Sequence, residues 1–162
     1  AINSFEKIYE EKWLNMMRDK LGLFGEDIND QILIMELLTW MHKNKADYTN
    51  TFCHLMNLKI SNDKDYDKAE FHNWKNKWKK RLNLNNFSSK KYLSLMRANN
   101  PLVIPRNHKV EEALKAASEN NIELFNKLLM ILKNPYVDQK NISEYQSLAP
   151  ITEKKYQTYC GT

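Results

Sequence analysis

Phe71-His72-Asn73-Trp74-Lys75-Asn76-Lys77-Trp78-Lys79-Lys80-Arg81-Leu82 sets its large apolar side chains at 71, 74, 78 and 82. Steps of three, four and four line them along one face of an α-helix. Lys75, Lys77, Lys79, Lys80 and Arg81 fill the remaining faces. The same period runs outward in both directions. Upstream, Phe5, Ile8, Tyr9, Trp13, Met16, Met17 and Leu21 form a helix that Gly22 can stop. A second helix starts near Asp27 or Asp30 and carries Ile32, Leu33, Ile34, Met35, Leu37, Leu38, Trp40 and Met41. Apolar on nearly all sides, it is expected to be central and buried. Asp47 is placed to cap a short helix through Phe52, Leu55 and Met56, and the polar run Ser61 to Asp65 reads as a loop.

Downstream, Ser88 or Ser89 can cap a helix holding Tyr92, Leu95 and Met96. Pro101 and Pro105 then enforce an extended connection through Leu102, Val103 and Ile104. Asn107 is placed to cap the next helix, with Glu111 and Glu112 near its positive end and Val110, Ala113, Leu114 and Ala117 on its buried side. Ile122, Phe125, Leu128, Leu129 and Leu132 mark another, ended by Asn134-Pro135. The fold class read from this spacing is all-α: an irregular multi-helix bundle over residues 1–135 with an extended proline-containing connection, then an irregular tail over 136–162.

Composition agrees. The chain has 162 residues, enough for one domain with a real core, and only 3 glycines and 4 prolines. So few turn formers disfavour sandwiches, barrels and glycine-cradled phosphate loops. No run approaches the ~20 apolar residues of a membrane span, and the first ten residues carry no signal-peptide pattern. A soluble, non-membrane protein is expected. Two cysteines cannot make a disulfide framework, so a reducing compartment is the default. The chain opens on Ala1 and enters helical periodicity almost at once, from which a piece of something longer is expected.

Candidate chemistry is sparse. The basic helix with Trp74 and Trp78 would suit phosphates and stacked bases, but packing claims the indoles first. Lysine outnumbers arginine by 21 to 4, against bidentate phosphate recognition; no nucleic-acid partner is expected, and a basic nucleic-acid-binding domain is the weakest alternative. His42, His54, His72 and His108 lack metal-ligand spacing, and no metal site is expected. Glu111 with Glu112, and Asp63 with Asp65, read as a helix start and a solvated loop. Arg97, Arg106, Asn107 and His108 cluster around two prolines, as an interaction surface or as loop anchoring. Cys53, beside Phe52, reads as a small core residue. Cys160, third from the end, lies in a tail able to reach another surface and is the candidate redox residue.

The run Met96-Arg97-Ala98-Asn99-Asn100-Pro101-Leu102-Val103-Ile104-Pro105-Arg106-Asn107-His108-Lys109-Val110-Glu111-Glu112-Ala113-Leu114 closely resembles the C-terminal signature of the selenoprotein O family. The likeness continues through Phe125 to Tyr136 and the ending Tyr159-Cys160-Gly161-Thr162. Lys20 to Leu23, Asp47 to Thr49 and Trp74 to Leu82 look like the same family's helical region, so it covers nearly the whole chain.

The resemblance implies a protein adenylyltransferase with a kinase-like core that moves AMP from ATP, with Mg²⁺ or Mn²⁺, onto Ser, Thr or Tyr hydroxyls of proteins. The partners it implies are the kinase-like N-terminal portion of the same protein and the protein substrates. Neither a glycine-rich nucleotide loop nor kinase metal or catalytic-loop motifs occur in this chain, so no catalytic residue is carried over and the piece alone is expected to be silent. Cys160 matches a position that the family pairs with a core cysteine in a redox-controlled disulfide; pairing with Cys53 stays open. Arg97, Pro101, Pro105, Arg106, Asn107, His108 and Glu111 are the signature positions expected to serve interaction or structure. A helical protein-interaction module is the alternative function. The expected location is the cytoplasm of a bacterium, or the mitochondrion of a eukaryote.

Overall fold

The computed structural model describes residues 2–58 and 66–149, with side chains from Ser4 onward. Among the described residues there are eight helices and no strand: α1 (Ile2–Lys20), α2 (Asp30–Asn44), α3 (Tyr48–Leu55), α4 (Ala69–Asn83), α5 (Ser89–Asn99), α6 (Asn107–Ser118), α7 (Glu123–Leu132) and α8 (Ile142–Gln146). The all-α reading holds. α1 packs on α5 and α2, α2 on α4, and α6 on α7.

The core forms where the predicted stripes meet. Met17 of α1 and Leu21 just beyond its end, Ile34 and Leu37 of α2, Phe52 of α3, Phe71 of α4 and Met96 of α5 are all buried. Trp74 and Trp78 stack at 6.0 Å between centroids. Each indole also satisfies its polar atom, Trp74 Nε1 donating to the Leu33 carbonyl at 2.8 Å and Trp78 Nε1 to that of Leu21 at 2.9 Å. The two rings therefore tie α4 to α2 and to the end of α1, and base stacking is closed to them. Gly22, at φ 71°, makes the left-handed exit from α1.

Four expectations need correction. α2 is buried on one side only: Leu33, Ile34, Leu37, Trp40 and Met41 face the core, whereas Ile32 is 60% exposed and Met35 48%. Together with Ile28, 94% exposed, they line an open groove of about 870 Å³ between α2 and α4. The cap of α6 is Arg106, and Asn107 is its first helical residue. Leu114 lies on the outer side of α6, not its buried side. Within the segment expected to be irregular, Ile142, Tyr145 and Gln146 of α8 are buried against the core.

Candidate functional site

The proline-flanked signature is built into the fold at both ends. Two prolines hold the backbone extended, and Leu102 and Val103 between them are buried. The Leu102 amide donates to the Pro135 carbonyl at 2.7 Å, and the Leu102 carbonyl accepts from Gln146 Nε2 at 2.8 Å. Asn50 Nδ2 in turn donates to the Gln146 carbonyl at 3.1 Å. One short segment thus collects α3, α8 and the turn after α7.

Arg106 closes this joint. Its guanidinium donates to both Asp47 carboxylate oxygens, at 2.5 and 2.8 Å, and to Asn50 Oδ1 at 3.3 Å. Asp47 simultaneously caps α3, accepting from the Asn50 amide at 2.8 Å. The cap was legible in the sequence; its arginine partner was not. Burial alone would raise the Asp47 carboxyl, but hydrogen bonds from Arg106 and the Asn50 amide, with the Arg106 charge, hold it below the usual value. The bidentate pair is nearly withdrawn from water, so removing one partner strands the other. Arg106→Met is expected to destabilise the chain by about 2–3 kcal/mol in urea unfolding. An arginine reserved for an outside partner would leave stability unchanged.

The other signature residues do not converge on one point. Arg97 is half-buried on the last turn of α5, close enough to Cys53 to act on its charge. Pro101 is half-buried. Pro105, Asn107 and His108 line a shallow depression of about 360 Å³ with Ile104, Arg106 and Ala149. Burial, with the Lys109 and Arg106 charges, lowers the His108 pKa from its ordinary value. Glu111 and Glu112 are exposed, Glu112 pairing with Lys109 at 3.2 Å. His42 and His72 are exposed, and His54 stacks on Tyr66 at 4.1 Å.

A second polar cluster gave no sequence signal. Asp30, fully buried, accepts from Arg18 Nε at 2.7 Å, from Arg81 Nε at 2.6 Å and Nη2 at 3.1 Å, and from the Asp27 amide at 3.0 Å. Arg81, counted with the basic run by its neighbours, is therefore an interior residue. Lys77 pairs with Glu36 at 2.6 Å. The basic face that remains is smaller than the sequence suggests.

Cys53 is buried, as expected, and burial pushes its thiol up to about 11. In the folded chain it should react with iodoacetamide at pH 8 at least about tenfold more slowly than in urea, because both access and thiolate are lacking. Mass spectrometry of the Cys53 peptide reads this directly. Cys160, with Asp63 and Asp65, lies outside the described residues. Among the described residues no group of three or more His, Cys, Asp or Glu side chains is placed to hold a metal ion. None of the described helices is long and apolar enough to cross a membrane.

Comparison with known proteins gives one consistent result. A family model described as protein adenylyltransferase SelO matches residues 1–133. A protein nucleotidyltransferase YdiU from Pelagibacter ubique is 57% identical over 162 residues, all of this chain and 34% of that protein. Its counterparts in Alcanivorax borkumensis and Clostridium perfringens are 45% and 44% identical, again over the whole chain and 34% and 33% of their own lengths. The chain spans about a third of the length of these curated relatives.

Proposed function

Because this chain belongs to the SelO family of protein adenylyltransferases, we propose that it is the helical supporting region of a longer enzyme that transfers AMP from ATP to hydroxyl groups of proteins. The observation that carries the supporting role is the Asp47–Arg106–Asn50 joint. The most chemically capable residue of the signature holds α3 against the start of α6. The buried Asp30 cluster does the same for α1, α2 and α4.

In this reading the remaining two thirds of the polypeptide form the kinase-like core. ATP and Mg²⁺ or Mn²⁺ bind there, and the recipients are Ser, Thr or Tyr of other proteins. Catalysis rests on positioning and on neutralising phosphate charge, as in phosphoryl transfer generally. Cys160 is the redox element, closing a disulfide with a cysteine of that core under oxidising conditions. Peptide mapping of the complete protein, oxidised and reduced, tests the pairing; a free Cys160 under both conditions removes it.

The activity is tested by incubating the complete polypeptide with ATP labelled in its α-phosphate, Mg²⁺ and a protein acceptor. Metal-dependent label on the acceptor, and none when this chain is supplied alone, is the expected result. No transfer by the complete polypeptide, or robust transfer by this chain alone, would sink the reading.

A further inference from the structure

α1 changes face halfway along its length. Trp13, Leu14, Met17 and Leu21 point into the core, Met17 and Leu21 fully. The apolar residues of its first half lie elsewhere: Phe5 is 70% exposed, Ile8 56% and Tyr9 60%, and their side of the helix continues to Met16 in the second half, 44% exposed. At 3.6 residues per turn this second stripe is rotated by roughly 130° from the first. The direction that faces the core further along is occupied here by exposed Glu6 and Glu10. The first turns are therefore not a frayed continuation of the core stripe. They are amphipathic in their own right and aimed at a different body. Phe5 and Tyr9 stack at 6.4 Å, which presents their rings as one surface. Four large side chains on one helix face make an apolar patch of the kind that marks an interface.

We infer that the Phe5–Ile8–Tyr9–Met16 face of α1 is the seam at which this region packs against the part of its own polypeptide that lies outside this chain. That part is roughly twice this chain's length in the curated relatives, of which the chain spans 34%. A folded body of that size, tethered to this chain, meets an exposed apolar face at high effective concentration. The inference rests on the proposed reading only in taking the chain as one region of the longer family protein. Packing of this kind fixes α1 at one end to the outside body and at the other to the α2–α5 core, making it a rigid connecting strut.

The test uses the complete polypeptide with single substitutions Tyr9→Cys, Phe5→Cys and Glu11→Cys, Glu11 being exposed on another side of α1. Maleimide labelling is followed by peptide mapping, so that native cysteines do not interfere. The expected result is labelling at positions 5 and 9 slower than at position 11 by at least about tenfold, with circular dichroism unchanged. Phe5→Cys stands in if Tyr9→Cys fails to fold. Equal rates at 9 and 11 overturn the inference. So does equal protection of all three, which would bury the helix on every side. Protection that rises with protein concentration assigns the face to a second copy, and protection lost on truncation after Ala149 assigns it to the chain's own end; either also overturns it. AMP transfer, measured on the same samples, separates the two claims. Transfer with a freely labelled position 9 ends the seam and keeps the function; protection without transfer does the reverse.

Discussion

Asp30→Ala should destabilise the folded chain by about 3–5 kcal/mol, because it leaves the Arg18 and Arg81 guanidinium groups buried without their counterion. Asp30 is fully buried and receives hydrogen bonds from both arginines, so its deletion removes the shared acceptor of α1 and α4 at once. Arg81 would keep only its longer bonds to the Phe24 and Gly25 carbonyls, at 3.3 and 3.2 Å. Urea unfolding at pH 7 reads the loss. The triple change Arg18→Met, Asp30→Leu, Arg81→Met should recover most of it, since a buried ionic cluster replaced as a unit costs far less than one broken. A single variant within about 1 kcal/mol of wild type would show that water reaches the cluster.

The same carboxylate sets an acid limit. Burial alone would raise the Asp30 pKa, but hydrogen bonds from Arg81, Arg18 and the Asp27 amide, with the Arg81 charge, outweigh it and hold the carboxyl below its ordinary value. Asp47 is depressed in the same direction. A carboxyl whose folded pKa lies under the ~3.9 of an unfolded aspartate contributes fully above about pH 5 and loses its contribution as the pH falls through the folded value. Stability should therefore decline steeply below about pH 4, and Asp30→Asn should flatten that decline.

Gly22→Ala is expected to cost roughly 2–4 kcal/mol, the second large effect. The residue sits at φ 71°, where a side chain costs about 1–2 kcal/mol. An added Cβ would also lie 3.0 Å from Met96 Cγ and from the Tyr92 carbonyl oxygen, and 3.1 Å from Tyr92 Cβ. The backbone oxygen cannot swing away, so α1 and α5 must separate, at about 1–3 kcal/mol. Gly25→Ala supplies the comparison. Its φ is 65°, but its nearest neighbour, Asn85 Nδ2, is 3.7 Å away, so only the backbone cost of about 1–2 kcal/mol applies. Equal effects at the two glycines would mean that the α1–α5 approach is looser than the structure shows.

What the sequence revealed and what it hid divide along one line. Periodicity is local, so the helices and most of their inward faces are legible: Phe71, Trp74, Trp78 and Leu82 are buried as their spacing requires. Asp47 is legible as a cap for the same reason. Its partner Arg106 is 59 residues away, and Arg81 is 51 residues from Asp30. No short-range pattern encodes such a pairing, which is why Arg81 read as surface charge. The misreading of α2 has a different origin. An apolar residue announces that it avoids water, not which neighbour covers it, so Ile32 and Met35 looked like core. The stripe on the first half of α1 is the same ambiguity, resolved by the rotation between its two faces. The signature was legible as a motif, but its chemistry was not, since only the fold shows that Arg106 turns inward.

Arg106→Met tests most directly the structural role of that arginine within the proposed AMP-transferring polypeptide. The measurement is label transfer from ATP by the complete polypeptide carrying Arg106→Met, against the unsubstituted protein, at a temperature where circular dichroism shows both folded. Turnover within about twofold of the unsubstituted enzyme, with a lowered unfolding midpoint, is the predicted result. A loss of more than about a hundredfold in kcat with the fold intact would contradict the account and place the guanidinium at the reacting groups.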